Sequence, residues 1–324
     1  MDRRAALRRM ATLAAGLVAP AAVRGQSAAS DHLGPVLSGR ALGSTGEMVT
    51  LLGLGGWHLA EKMDRREAEA VVETAIAGGV RFFDTAESYG DGESERRYGE
   101  FLVPRYRDHV FLMTKTTARD AATARQHLEG SLRRLRTDHV DLWQMHSVQD
   151  PSDVDQRLAG GVLDAMLEMR EAGKTRHIGF TGHARTAAHR RVLERTRDFA
   201  TCQLPLNVAD PAYDSFVAGV LPELVERRMG VLAMKTLANG RFFRAGLPEG
   251  AQALVPGHVS VAQALHFVWS LPVSVLISGP DNRQQMQEKI ELARAFAQLS
   301  AQERQLLIDR AADFGGPEVE YYKA

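Results

Sequence analysis

Residues 79–90 read Gly79-Val80-Arg81-Phe82-Phe83-Asp84-Thr85-Ala86-Glu87-Ser88-Tyr89-Gly90. A short strand, Val80–Phe83, apolar but for Arg81, stops at an aspartate and passes into a polar loop, the pattern of a buried strand with a chemically equipped exit. Just upstream, Ala68, Val71, Val72, Ala75 and Ile76 recur on one face at helical spacing, and Gly78-Gly79 closes that helix. Downstream the alternation repeats. Helix Ser94–Leu102 precedes strand Val110–Thr114, and a helix through Leu128, Leu132 and Leu135 precedes strand Val140–Met145. A helix through Leu163, Met166 and Leu167 leads to strand His177–Phe180, then a helix near Ala187–Arg195. Strand Thr201–Leu204, helix Phe216–Arg227, strand Gly230–Met234 and a helix carrying Val261, Ala264, Leu265 and Val268 follow. Strand Val273–Ile277 and helix Gln284–Ala295 close the series, and Leu51–Leu54 opens it after a hairpin over Gly39–Thr50 that turns at Ser44-Thr45-Gly46.

Single helices between strands demand parallel pairing with crossovers, and eight such units close a (β/α)8 TIM barrel. The rival open sheet normally announces its phosphate site by G-x-G-x-x-G. Here Gly53-Leu54-Gly55 starts that pattern and His58 breaks it.

Composition narrows the function. Forty basic and 40 acidic residues leave no net charge, against an electrostatic nucleic-acid binder. Cys202 is the only cysteine, so the sequence holds neither an intrachain disulfide nor a cysteine-based zinc cluster. No apolar run approaches the roughly 18 residues of a spanning helix, and no stable membrane insertion is expected. Residues 1–25 place Arg3, Arg4, Arg8 and Arg9 before the apolar stretch Met10–Val23 and a small-residue exit, the layout of a twin-arginine export signal. The competing reading is an amphipathic amino-terminal helix. The signal reading implies the twin-arginine machinery as a partner and a periplasmic or exported protein. Residues 26–38 then read as a linker and 39–324 as the barrel.

In such a barrel the chemistry sits at the carboxy-terminal strand ends. Asp84 ends the second strand, Tyr89 follows in its loop, Lys115 ends the third strand and His146 the fourth. A buried lysine and aspartate are costly unless paired, so Lys115 is expected on Asp84. A phenol beside that ammonium is expected to have its pKa lowered and to donate a proton near neutral pH, with His146 orienting the same acceptor. A metal-dependent hydrolase would want His-x-His after the first strand, and Trp57-His58 supplies one histidine. No metal site is expected.

These residues resemble the aldo-keto reductases. The D-T-A-x-x-Y signature matches Asp84 to Tyr89, and the likeness continues through Leu112-Met113-Thr114-Lys115, Leu132-Arg133-Arg134-Leu135, Asp141–His146 and Gly173–Gly179, over about residues 39–295. The resemblance implies reversible hydride transfer between a nicotinamide cofactor and an aldehyde or ketone. Tyr89 would be the general acid, Asp84 and Lys115 its tuning pair, and His146 a holder of the carbonyl oxygen. It also implies carboxamide contacts from Gln203 and Thr181. Gly182 stands where relatives carry asparagine, with His183 a possible substitute, and Met234 stands where many carry a stacking tyrosine. Lys235, Thr236, Leu237, Asn239 and Arg241 lie on the expected pyrophosphate loop. The last motif, Ile277–Glu288, has Gly279 for a lysine and Gln285 for an arginine of NADPH-preferring relatives. That leaves Arg283 as its cation, beside Asn282 and Glu288. NADP(H) is expected over NAD(H). Trp57 and His58 match substrate-pocket positions, and the connections after strands four and seven read as short. The rival function is a nicotinamide-binding redox sensor or regulatory subunit with little turnover on the same barrel.

Overall fold

The computed structural model describes residues 29–244, 247 and 252–323. The proposed export signal lies outside the described residues. Eight parallel strands form a closed barrel in sequential order: β1 (Leu52–Gly55), β2 (Phe82–Asp84), β3 (Phe111–Thr116), β4 (Val140–Met145), β5 (Thr175–Thr181), β6 (Thr201–Pro205), β7 (Gly230–Met234) and β8 (Val275–Ser278). β8 pairs with β1 to close the ring. β4 and β7 keep the bounds read from the sequence, and the other strand ends shift by at most two residues. Asp84 is the last residue of β2, and Lys115 lies inside β3.

Side-chain alternation sorts each strand into an outer row under the helices and an inner row. The inner row forms its own cluster of Phe82, Phe111, Met113, Leu142, Leu232, Val275 and Ile277. Phe82 and Phe111 stack at 5.1 Å inside it. Gly53 makes room for this packing, since a Cβ there would meet Phe82 Cδ1 at 2.7 Å. The hairpin Gly39–Ala41 with Met48–Thr50 plugs the floor, adding Leu42 and Val49 to the cluster. Two residues beyond Phe82 on the same face comes Asp84, two beyond Met113 comes Lys115, and two beyond Leu142 comes Gln144. The period of two therefore carries the interior from apolar floor to polar mouth.

The helices follow from their caps and faces. Helix α1 (Arg65–Ala77) starts on Asp64, whose side chain accepts from Glu67 N, and it buries the five residues of the expected stripe. Gly79 then has a positive φ of 94°, and a Cβ there would lie 2.6 Å from Pro35 O. That contact arises because the described part of the linker stretch holds a small hairpin, Ser30–Asp31 with Gly34–Pro35. It is docked by Arg81, whose Nε donates to Asp31 Oδ2 at 2.8 Å.

Three pieces depart from the sequence reading. The expected helix Phe216–Arg227 is two short helices, Phe216–Gly219 and Leu221–Glu226. Pro222, in the first turn of the second, has no N–H to continue the first. Helices Pro151–Ala159 and Ala301–Ala311 are additions. The connection after β7 is long, running over residues 235–260 to the helix Val261–Trp269, and contains a 3-10 segment at Ala238–Phe243. This corrects the expectation of a short connection after strand seven.

Candidate active site

Lys115 sits at the centre of the barrel mouth, 1% exposed. Its Nζ lies 2.5 Å from Asp84 Oδ1, donates to Thr85 O at 2.8 Å and reaches the Tyr89 hydroxyl at 3.0 Å. Three oxygens from β2 and its loop thus surround one ammonium from β3. The arrangement is braced from behind: Thr85 Oγ1 donates to Ser94 Oγ at 2.7 Å, and Ser94 Oγ donates to Gly56 O at 2.9 Å. The Tyr89 loop is tied to β3 through Glu87, whose Oε1 accepts from Thr117 N and Oγ1, each at 2.7 Å. The Lys115 ammonium also lies 4.6 Å from the centre of the Tyr89 ring. His146 meets that ring edge-on at 5.7 Å, and its Nδ1 is buried without a partner.

Burial acts on every member of this group. It pushes the Asp84 carboxyl up, against the pull of the Lys115 cation. Burial also works to strip the Lys115 proton, but Asp84 and then Tyr89 outweigh it and hold the ammonium above its usual value. The Tyr89 phenol is pushed up by burial, and Lys115 cancels only part of that rise. This corrects the expectation of an acidified phenol. In a pocket this dry the loss of hydration of a phenolate exceeds what one already-paired ammonium returns. Tyr89 therefore holds its proton throughout the neutral range. Burial, then Lys115, drives the His146 imidazole well below the ordinary histidine value, so it is a neutral ring with one N–H.

Across the mouth, Gln203 is 2% exposed and its Oε1 has no partner, as does the buried Thr236 Oγ1. Gln203 also favours the ionised form of Asp84. Thr181 ends β5, buried beside Gln203, with which it is in register. No side chain fits at Gly182, where a Cβ would meet Val148 O at 2.7 Å and His189 Cε1 at 2.9 Å. His183 is held against the carboxy-terminal segment, with its Nδ1 3.2 Å from Tyr322 O. Met234 and Leu237 are half-buried at the start of the β7 connection, with Lys235 between them in a left-handed conformation.

The structure places His58 away from a free substrate-facing position. Its Nδ1 lies 3.1 Å from Pro280 O and 2.9 Å from Asp281 Oδ1, on the β8 loop. Its ring fills the space above Gly279, where a Cβ would meet His58 Cδ2 at 2.8 Å. Trp57, 36% exposed, stays at the rim. The first turn of helix Arg283–Arg294 is also occupied. Asn282 caps Gln285 N at 2.9 Å, and Glu67 Oε1 accepts from Arg283 N at 2.7 Å. The Arg283 amide is thus taken by the Glu67 carboxylate and the Gln285 amide by the Asn282 side chain, which leaves the Arg283 guanidinium as the exposed cation at this helix start. Glu288 is exposed and accepts from Gln284 at 3.1 Å. Lys289 escaped the sequence reading. It is buried on this helix's inner face near Asp281 and Glu288, and burial lowers its ammonium to about 8. Its signal was helical spacing, four residues after Gln285.

The aldo/keto reductase family profile matches residues 51–253. The chain belongs to the aldo/keto reductase family. Among curated relatives, an L-galactose dehydrogenase of Arabidopsis thaliana is 31% identical over 65% of this chain and 68% of its own length. The aldo-keto reductase YhdN of Bacillus subtilis is 29% identical over 61% of this chain and 62% of its own. The chain thus spans about two thirds or less of the length of these two relatives. Among solved structures, an aldo/keto reductase of Klebsiella pneumoniae, in complex with NADP and acetate, is similar at a TM-score of 0.66 and 26% identity. That likeness covers 83% of this chain and 94% of that one. The aldo/keto reductase described here is an oxidoreductase whose mouth brings Asp84, Tyr89, Lys115 and His146 together. Among its described residues no cluster of histidine, cysteine, aspartate and glutamate could hold a metal ion.

Proposed function

We propose that this aldo/keto reductase transfers hydride reversibly between NADP(H) and a small aldehyde or ketone, with Tyr89 as the general acid. The observation that carries the reading is the single buried ammonium of Lys115 shared by Asp84, Thr85 O and the Tyr89 hydroxyl. The bound dinucleotide supplies the hydride, and the chain supplies the proton and the charge stabilisation. As a C–H bond forms at the carbonyl carbon, negative charge collects on its oxygen. Tyr89 O–H and the neutral His146 N–H are the donors aimed at that oxygen. Tyr89 gives up its proton, and Lys115 bears on the transient phenolate from 3.0 Å. Asp84 keeps Lys115 charged so that it can do so. No observation favours the sensor alternative, since every member of the proton-handling group is present.

The partnerless Gln203 Oε1 and Thr236 Oγ1 are what a cofactor carboxamide and phosphate ester would satisfy. Lys235, Asn239 and Arg241 would meet the pyrophosphate. For a 2′-phosphate the chain offers Arg283, which is exposed and makes no side-chain ion pair among the described residues. The likeness to an NADP-bound structure supports the same preference. Titration by tryptophan quenching should therefore show tighter binding of NADPH than of NADH. The reverse order would reject the preference, and binding of neither would reject the function.

The amino-terminal Arg-rich stretch supports export by the twin-arginine route to the periplasm, with the cofactor bound before passage. Fractionation of cells expressing the full chain should find it outside the cytoplasm, and Arg3→Lys with Arg4→Lys should retain it inside. An unchanged distribution would remove the export proposal.

A further inference from the structure

The last described residues do not trail off. Lys323 is 2% exposed, and its Nζ lies 2.7 Å from Asp210 Oδ1, 2.9 Å from Glu320 Oε1 and 2.8 Å from Tyr213 O. Asn207 Nδ2 donates to Glu320 Oε1 at 2.8 Å and to the Tyr322 hydroxyl at 3.0 Å. The segment 318–323 is thereby riveted to the loop after β6. From that anchor it reaches the β7 connection. Asn239 Nδ2 donates to the Tyr321 hydroxyl at 2.6 Å. The Arg241 guanidinium donates to Glu318 O and stacks 4.2 Å from the Tyr321 ring centre. Lys235 lies 5.9 Å from the Tyr322 ring centre.

The loop so held is strained. Lys235, Ala238 and Asn239 have φ values of 58°, 49° and 55°, a region that side-chained residues keep only when their surroundings enforce it. We propose that Tyr321 is a positioning residue of the cofactor site. It holds Asn239 and Arg241, from outside, in the shape that retains the dinucleotide pyrophosphate, and so sets how slowly the cofactor leaves. The proposal rests on reading residues 235–241 as the pyrophosphate loop. Tyr321 is 39% exposed, so its ring is not part of the packed core and can be changed without opening a cavity.

The test uses the full chain, NADPH as probe, and stopped-flow chase of bound NADPH fluorescence. Tyr321→Ala should raise the NADPH dissociation rate about ten-fold, by loss of both the hydrogen bond and the cation–π contact. Tyr321→Phe keeps the ring under Arg241 and should raise it about three-fold. Hydride transfer in a single turnover at saturating NADPH should be unchanged in both. Equal dissociation rates in all three proteins overturn the role of Tyr321. A transfer step slowed in parallel with binding overturns it also, by placing its effect on the chemistry. A wild-type chain that binds neither NADPH nor NADH overturns the reading of the loop itself, and this proposal with it.

Discussion

Tyr89→Phe is expected to lower the turnover of carbonyl reduction by about 10²- to 10⁴-fold, the range that a positioned proton donor contributes. The substitution removes one oxygen and little else. The ring keeps its place 4.6 Å from the Lys115 ammonium, and Lys115 keeps Asp84 at 2.5 Å and Thr85 O at 2.8 Å. The fold and the dinucleotide contacts should survive, so the dissociation constant for NADPH should stay within about two-fold while turnover collapses. Stopped-flow reduction with a panel of aldehydes, read beside a fluorescence titration, separates the two quantities. Turnover near the wild-type value would remove Tyr89 from the mechanism. His146 would then be the remaining donor at that oxygen, and its burial as a neutral ring makes it a poor acid.

The second large effect lies in stability. Lys115→Met should cost about 3–5 kcal/mol in chemical denaturation, because it leaves Asp84, 3% exposed, without the cation that compensates it. Asp84→Asn should also destabilise, by leaving the Lys115 ammonium with only a carbonyl and a hydroxyl. The double variant removes both charges, and its cost should fall well short of the sum of the two singles. The two variants without Lys115 should be inactive, since neither keeps an ammonium beside the Tyr89 hydroxyl, and Asp84→Asn should be strongly impaired because its ammonium loses the carboxylate that holds it charged. Additive single and double costs would mean that the pair is not coupled through a dry interior. A double variant with activity would mean that the phenol needs no neighbouring cation.

The same pair shows where sequence reasoning reaches and where it stops. Asp84 and Lys115 were legible because each follows an apolar stretch of its strand, and two opposite charges at the mouth ends of adjacent strands can be buried only together. The pKa direction of Tyr89 was not legible. It depends on how fully the folded mouth excludes water from the phenol, which no single segment sets. His58 misled for a related reason. Its position after β1 was read correctly, but its ring turns to the β8 loop because β8 closes on β1, a neighbour more than 200 residues away in sequence. Gly279 and Gly182 looked like lost contacts, and the structure shows both to be places where a side chain would collide with a histidine.

What the amino-acid order settled by itself was periodicity: eight strands alternating with helices, and which polar groups stand near the strand ends. That information is local, and burying apolar surface at a period of two leaves little choice about it. What only the tertiary structure decided was every matter of neighbourhood across the ring. It decided the dryness that keeps the Tyr89 proton in place, the glutamate already seated at the start of helix Arg283–Arg294, and the tail that meets three loops at once. Such contacts join residues far apart in the chain, and their energies depend on solvent exclusion that no single segment creates.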